Sequence, residues 1–453
     1  MPLAQSRNTA IVAAVLLLAT PIALGAPDAD LRRSPSKDWA YALAIQRDGR
    51  LIAAGRSVQG RWYFALARFK ATGTLDPTFG RRGKVVGFES RSPYGARALE
   101  LQRDGKLVAG GHANLSSKDV FALARYTTRG LPDSGFGRAG RVLTRFASRG
   151  ATGDTATALA IQSDGKLVVT GNVTASATAP ERVAVARYKT NGELDPRFGT
   201  EGKITVGVGL LALAQAIAVQ RDGKIIVAGW SVRDLDARKE ILLLRLTARG
   251  MLDSSFGNHG KVLVDIAASN EGSAVAVLPD GRTVVGGTVD DDFALVRLTP
   301  GGRLDPTFGS GGKVVTNFGV TKQRGCADCE SRDSEDKVYS LAVQHDGKLV
   351  LAGATDVEGR LGPETYCCAY DVALARYDSD GTLDPTFGSD GRVATVFDRF
   401  RNTYAQDVAI QADGKIVVAG GGGGYFALGR YTSDGLLDAS FGSGGKVKMR
   451  FRP

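Results

Sequence analysis

Residues 64–85 read F-A-L-A-R-F-K-A-T-G-T-L-D-P-T-F-G-R-R-G-K-V, and the same arrangement returns six more times along the chain. Each copy places an arginine twelve residues before the glycine of a Phe-Gly pair: Arg68 and Gly80, Arg125 and Gly137, Arg187 and Gly199, Arg245 and Gly257, Arg297 and Gly309, Arg376 and Gly388, Arg430 and Gly442. Self-similarity with a period near sixty residues marks an array or a propeller, in which each unit buries its faces only against its neighbours. The 453 residues therefore read as one closed array and not as two or three unrelated domains.

Outward from that stretch, every unit reads as four strands. The first, A-L-A-I-Q at 42–46 and again at 158–162, is apolar on both alternating faces, the pattern of a strand buried on both sides. An Asp-Gly pair follows in all seven copies, from Asp48-Gly49 to Asp413-Gly414. Flanked by apolar runs it predicts a tight hairpin, because glycine supplies the positive φ that the turn needs. The second strand is K-L-V-V-x-G, as at 166–171, and the third is F-A-L-A-R-Y, as at 121–126. Between the third and the fourth, G-K-V-V at 312–315, lies a G-x-L-D-P-x-F-G turn, whose aspartate can accept from backbone N–H groups ahead of it while proline fixes φ. Four antiparallel strands in seven units predict an all-β, seven-bladed β-propeller. A β-solenoid is the alternative, but its rungs are shorter than these units.

Repeated D-G-K with L-D-P-x-F-G resembles the delta-60 repeats of exported bacterial proteins. The resemblance runs from Trp39 to the C-terminus. Departures are small: Leu278-Pro279 stands for the usual Gln-Arg, Leu131-Pro132-Asp133 varies the Leu-Asp-Pro order, and Ser254 and Ala439 replace the turn proline. The resemblance implies a β-propeller and brings no assigned activity.

Charged residues make up 23% and hydrophobic ones 43% of the chain, a globular composition, and turns explain why glycine, at 59 residues, exceeds its usual share. A formal charge of +11 raises nucleic acid as a partner, yet the basic positions recur around the repeats, as Lys106 and Arg141 do, so no nucleic-acid site is expected. Residues 1–25 read as an export signal, with Arg7 ahead of an apolar run from Ile11 to Leu18 and small residues at Ala23 and Gly25 that suit cleavage before Ala26. The run is too short for a membrane span and contains Pro21. Residues 26–38 read as a linker and 39–453 as the propeller, so the expectation is an extracytoplasmic monomer, secreted or periplasmic, with no membrane span after signal removal.

Both hairpins are fixed in length, while the loop from second to third strand and the connection to the next unit vary. Strand alternation puts both variable connections at one end of the disc, where scaffolds carry binding groups. The leading expectation is a non-enzymatic binding or scaffold propeller that recognises a protein or glycan there, without a cofactor. A carbohydrate-active propeller hydrolase or lyase is the alternative, with Glu358, Glu364, Tyr366 and the Asp290 cluster as available groups. Asp290, Asp291 and Asp292 are calcium candidates beside the plainer reading of three solvated carboxylates, and Gly420 to Gly424 reads as a short flexible connection. His112, on a variable loop, and His259 and His345, at the opposite end, form neither a three-histidine metal site nor a Ser-His-Asp arrangement. Arg68, Asp76 and Phe79, with Arg187, Asp195 and Phe198 in the third unit, recur in every copy and read as structural partners and inter-blade anchors. All four cysteines belong to the sixth unit. Cys326 and Cys329 precede its first strand, and Cys367 and Cys368 lie in its long loop, so two disulfides crossing between the segments are expected ahead of a four-cysteine zinc site.

Overall fold

A computed structural model describes residues 38–451, apart from 93–94, 116–117, 147–152, 175–178, 234–237, 320–333, 357–368 and 399–400. Its 28 strands fall into seven antiparallel blades of four, each built from consecutive strands. The innermost strand of each blade is its first: Trp39–Ile45, Ala96–Leu101, Gly153–Ile161, Leu211–Val219, Asn270–Val277, Asp336–Val343 and Tyr404–Ile410. These seven pack side by side in sequence order and the seventh returns to the first, which closes a ring around a central axis. Blades 2 and 3 are also joined by a parallel bridge between Asp119 and Gly153. Among the described residues no helix is long and apolar enough to cross a membrane.

Every innermost strand carries a bulge at the same place, which leaves one residue unpaired: Tyr41, Arg97, Thr157, Gln215, Ser273, Tyr339 or Gln406. A bulge bends its strand and re-aims the extra side chain. Here it also drives a carbonyl toward the neighbouring strand, and the recurring glycine of K-L-V-V-x-G makes room for it. A Cβ on Gly55 would stand 1.9 Å from the Trp39 carbonyl oxygen, and one on Gly353 1.8 Å from that of Lys337. The invariant interval between the strand-ending Gln and this Gly is thus the footprint of a bulge.

The third-strand arginine and the turn aspartate and phenylalanine form a clasp between successive blades, repeated seven times. Arg187 pairs with Asp195 at 3.0 Å inside its own blade, lays its guanidinium 4.7 Å from the centre of the Phe198 ring, and donates from Nη1 to the Ala248 carbonyl of the next blade. Phe198 is fully buried and packs on Gly250 of that blade, while Gly199 N donates to Arg249 O at 2.8 Å. The basic residue after each Asp-Gly turn reaches the same aspartate, as Arg50 does to Asp76 at 3.0 Å and Lys348 to Asp384 at 2.8 Å. Lysines and an arginine that open the fourth strands donate to carbonyls of the preceding blade, Lys313 to Asp265 and Arg392 to Asn317 among them. Much of the positive charge is therefore spent on joining blades.

The last seam repeats the pattern. Arg430 donates to the Ala71 carbonyl, Gly442 N to Thr72 O at 2.9 Å and Phe451 N to Asp38 Oδ2 at 2.8 Å. Among the described residues the ring closes by side-to-side packing of complete blades, with no strand exchanged between the first and last of them.

Candidate functional site

The two ends of the disc differ in kind. At one end lie the Asp-Gly hairpins and the clasps, seven near-identical copies whose polar groups satisfy one another. At the other, the second-to-third-strand hairpins meet the connections between blades, as where Ser90 N donates to Trp62 O and Asn114 N to Ser90 O. Catalysis or selective binding needs asymmetry, and the asymmetric residues lie at this second end and in the channel beneath it.

Seven-fold equivalence makes the channel easy to survey. One residue past each bulge stands Ala42, Ala98, Ala158, Ala216, Ala274 or Ser340, but in blade 7 it is Asp407. Two residues further stands alanine in six blades and Glu100 in blade 2. Asp407 is held by donors from three blades: Leu43 N at 2.7 Å, Ser340 Oγ at 2.8 Å and its own neighbour Val408 N at 2.9 Å. Glu100 has no hydrogen-bond partner among the described residues. Protein surrounds both, yet solvent still touches them, as befits side chains lining a narrow channel. Burial raises the Glu100 carboxyl to about 7, with repulsion from Asp407 adding to it. Burial likewise lifts Asp407 to about 6, against the pull of its three donors.

These shifts oppose those of the clasps. At Asp253 burial pushes the carboxyl up, but hydrogen bonds from Ser255 and Lys224 and the charge of Arg245 outweigh it and bring it down to about 2. A folded value above the unfolded one means that Glu100 favours the fold below about pH 4.5 and that this contribution is lost as pH rises through about 7. Glu100→Gln is therefore expected to be about 1–3 kcal/mol more stable than wild type at pH 8, with the gain fading toward pH 4. Urea unfolding at the two pH values checks it, and a variant less stable at pH 8 would sink it.

Above the carboxylates, blades 1, 6 and 7 gather aromatic rings. Trp39 lies 5.6 Å from Tyr404 and 6.3 Å from Tyr41, and Tyr404 also meets Tyr370 at 5.4 Å and Tyr339 at 6.2 Å. Arg56 is buried with its guanidinium 5.2–5.8 Å from the rings of Trp62, Trp39 and Tyr41, and Arg97 stacks on Tyr41 at 5.0 Å. Burial holds the Tyr339 hydroxyl well above its ordinary value; the charge of Glu271 adds to the shift and that of Arg97 opposes it.

Several sequence-predicted residues sit elsewhere than expected. The loop at Asp290 is a two-residue turn, since strands end at Val289 and resume at Asp292, with φ of 45° at Asp290 and 64° at Asp291. The three carboxylates do not converge: Asp290 accepts from Ser269 N at 2.7 Å, and Asp292 accepts from Asn317 Nδ2 at 2.7 Å. Among the described residues no group of three His, Cys, Asp or Glu is placed to hold a metal ion. Gly420 to Gly424 is no flexible connection. Gly420, Gly421 and Gly422 end a strand, Gly423 and Gly424 form its turn, and a Cβ on Gly421 would meet the Trp39 ring at 2.9 Å. His112 lies within the strand Leu107–Leu115 and is buried; burial and the charge of Arg97 drive its pKa down to about 3. Longer strands account for all three differences, because blades extend their inner hairpins past the repeat's last motif residue. Glu358, Glu364, Tyr366 and the four cysteines lie outside the described residues, as do 1–37.

Seven radial four-stranded blades around one channel define a seven-bladed β-propeller. Its repeats match, one per blade, the family described as a domain of unknown function (DUF5122) beta-propeller, at residues 46–79, 102–136, 162–198, 220–256, 278–308, 369–387 and 411–441. The chain is built of seven DUF5122 β-propeller repeats, a family related to the delta-60 repeats its motifs resemble; the delta-60 name itself is not what matches. No curated protein matches the sequence. Among solved structures, a protein from Lactobacillus plantarum is 12% identical with a TM-score of 0.46, covering 86% of this chain and 94% of its own. Sqt1 from Chaetomium thermophilum, bound to the N-terminus of ribosomal protein L10, is 14% identical with a TM-score of 0.45, covering 92% and 88%. PorZ of Porphyromonas gingivalis, a surface component of the type-IX secretion system, is 13% identical with a TM-score of 0.40, covering 84% of this chain and 45% of its own.

Proposed function

We propose that the chain is an exported, non-enzymatic binding propeller that recognises a glycan or a protein through the variable end of its disc. The observation that supports this most is the division of labour between the two ends. The repeated end spends its charges and turn groups on clasps, whereas the variable end carries aromatic rings and charged side chains that no other blade repeats. The reading of residues 1–25 as a signal adds an extracytoplasmic location, and N-terminal sequencing of exported protein, expected to begin at Ala26, tests that part.

A panel of immobilised glycans and extracytoplasmic proteins, probed with wild type and two variants, tests the binding. Tyr370→Ser at the variable end is expected to abolish the signal while Arg221→Glu, on the exposed Asp-Gly turn of the repeated end, leaves it. The reverse result would overturn the reading. One observation favours the hydrolase alternative, namely that Glu100 and Asp407 share a channel with carboxyl values suited to general acid chemistry; turnover of a bound glycan would establish it.

The cysteine expectation gains support from the residues at which its two segments are rooted. Glu335 N donates to Asp356 Oδ1 at 2.8 Å and the Tyr370 hydroxyl donates to Glu335, so Glu335, which follows the first cysteines in the chain, touches residues on either side of the second pair in sequence. Two crossed disulfides are expected, Cys326 and Cys329 each joined to one of Cys367 and Cys368. Peptide mapping without reduction checks this, and four free thiols or one zinc per chain would end it.

A further inference from the structure

Three polar groups around the axial mouth have no hydrogen-bond partner among the described residues: the buried indole Nε1 of Trp39, the Tyr339 hydroxyl and the Glu100 carboxyl. Leaving such groups unpaired is costly when nothing replaces the lost water; Trp39 and Tyr339 stand at blade positions without a common residue, and Glu100 replaces an alanine shared by the other six blades. Their chemistry is mixed. The indole only donates, the carboxylate only accepts and the hydroxyl does both.

An ammonium ligand would offer donors alone, and a phosphate or carboxylate acceptors alone. A sugar hydroxyl offers both, and a pyranose ring adds an apolar C–H face that packs on aromatic rings. The part-exposed rings of Tyr339 and Tyr370, each backed by Tyr404, supply such a platform. Below it the Ser340 hydroxyl, adjacent in sequence to Tyr339, donates to Asp407, and Leu43, two residues beyond Tyr41, holds the other Asp407 oxygen. Ser340 and Leu43 thus tie the strands that carry the platform to Asp407. Arg97 is stacked on Tyr41, and among the described residues no salt bridge neutralises Glu100.

We propose that the axial mouth formed by blades 1, 2, 6 and 7 is a subsite for a neutral saccharide unit, an assignment that rests on the variable-end binding reading above. The sugar stacks on Tyr339 and Tyr370 and exchanges hydroxyl hydrogen bonds with Tyr339, Glu100 and Trp39. Sugars bearing carboxylate or sulfate are disfavoured, because the carboxyls in the channel repel them.

A printed array of neutral, uronate-bearing and sulfated glycans, probed with the full exported chain, tests this. Wild type is expected to retain neutral glycans. Tyr339→Phe, which removes the unpaired hydroxyl, and Glu100→Gln, which exchanges the carboxylate for a weaker, neutral acceptor of the same shape, are each expected to weaken retention about 3- to 10-fold, and Trp39→Phe to do likewise if it folds. Retention confined to uronate or sulfated glycans, or equal retention by wild type, Tyr339→Phe and Glu100→Gln, overturns the subsite. If no glycan is retained the subsite falls while recognition of a protein by the variable end stands. If retention is lost only on Arg221→Glu, both fall.

Discussion

Phe198→Ala is expected to destabilise the protein by about 3 to 5 kcal/mol, the range for deleting a buried aromatic side chain. The ring is fully buried between the guanidinium of Arg187 and the backbone of the next blade. A Cβ placed on Gly250 would stand 2.8 Å from Phe198 Cε2, so the two surfaces already touch and cannot close further over a void. Gly250 holds φ at 82°, which ties that backbone to its course and limits any collapse into the cavity. Met251, the next residue in the chain, is 66% exposed, and Met251→Ala is expected to change stability by less than about 0.5 kcal/mol. Urea unfolding of the two variants gives the comparison. Similar small losses would mean that the phenylalanine is not what the seam is packed on.

The fold was legible because the information that specifies it is written seven times. Arg187, Asp195 and Phe198 recur at fixed spacing since each clasp needs all three at once, and the Asp-Gly turns recur since each hairpin needs a positive φ. The glycine of the second strand was legible as a repeat but not as to its cause, because a bulge on the partner strand is a property of pairing and leaves no local signature. Asp290 and His112 show the opposite failure. Their strands run beyond the repeated motif, and past the motif there was nothing periodic to extend.

The channel carboxylates were missed for a different reason. Glu100 and Asp407 were visible as charged residues in segments that otherwise read A-L-A-I-Q, and a residue that breaks an alanine position shared by the other blades is a signal. Attention to what the repeats share hid it. Even so, the sequence could not show that residues of blades 2 and 7, some three hundred positions apart, face one channel; only the closed ring brings them together.

Ring closure yields the other large effect. Arg430→Ala is expected to cost about 3 to 5 kcal/mol, because removing one partner of a buried ion pair leaves the other charge without compensation. Asp438 lies 2.9 Å from Arg430 and is buried, and after the change its ion pair would be with Lys415 alone, at 3.3 Å, beside the hydrogen bonds from Ser440. The hydrogen bond to the Ala71 carbonyl and the contact with the Phe441 ring at 4.7 Å are lost as well. The hydrogen bond from Ser440, with the Arg430 and Lys415 charges, outweighs burial and holds the Asp438 carboxyl well below the usual carboxylate range. A lowered folded value means stability that is present above about pH 4 and lost as pH falls. The deficit of Arg430→Ala is therefore expected to be full at pH 7 and smaller at pH 3, where wild type has begun to lose the same contribution. Arg187→Ala at an internal seam is the reference. Because the seam between blades 7 and 1 repeats the ion pair, the guanidinium–ring contact and the carbonyl hydrogen bond of the internal one, the two variants should lose similar amounts at pH 7. If Arg430→Ala costs far less than Arg187→Ala, the ends of the chain are held together by something other than the clasp, and the ring is weakest where it closes.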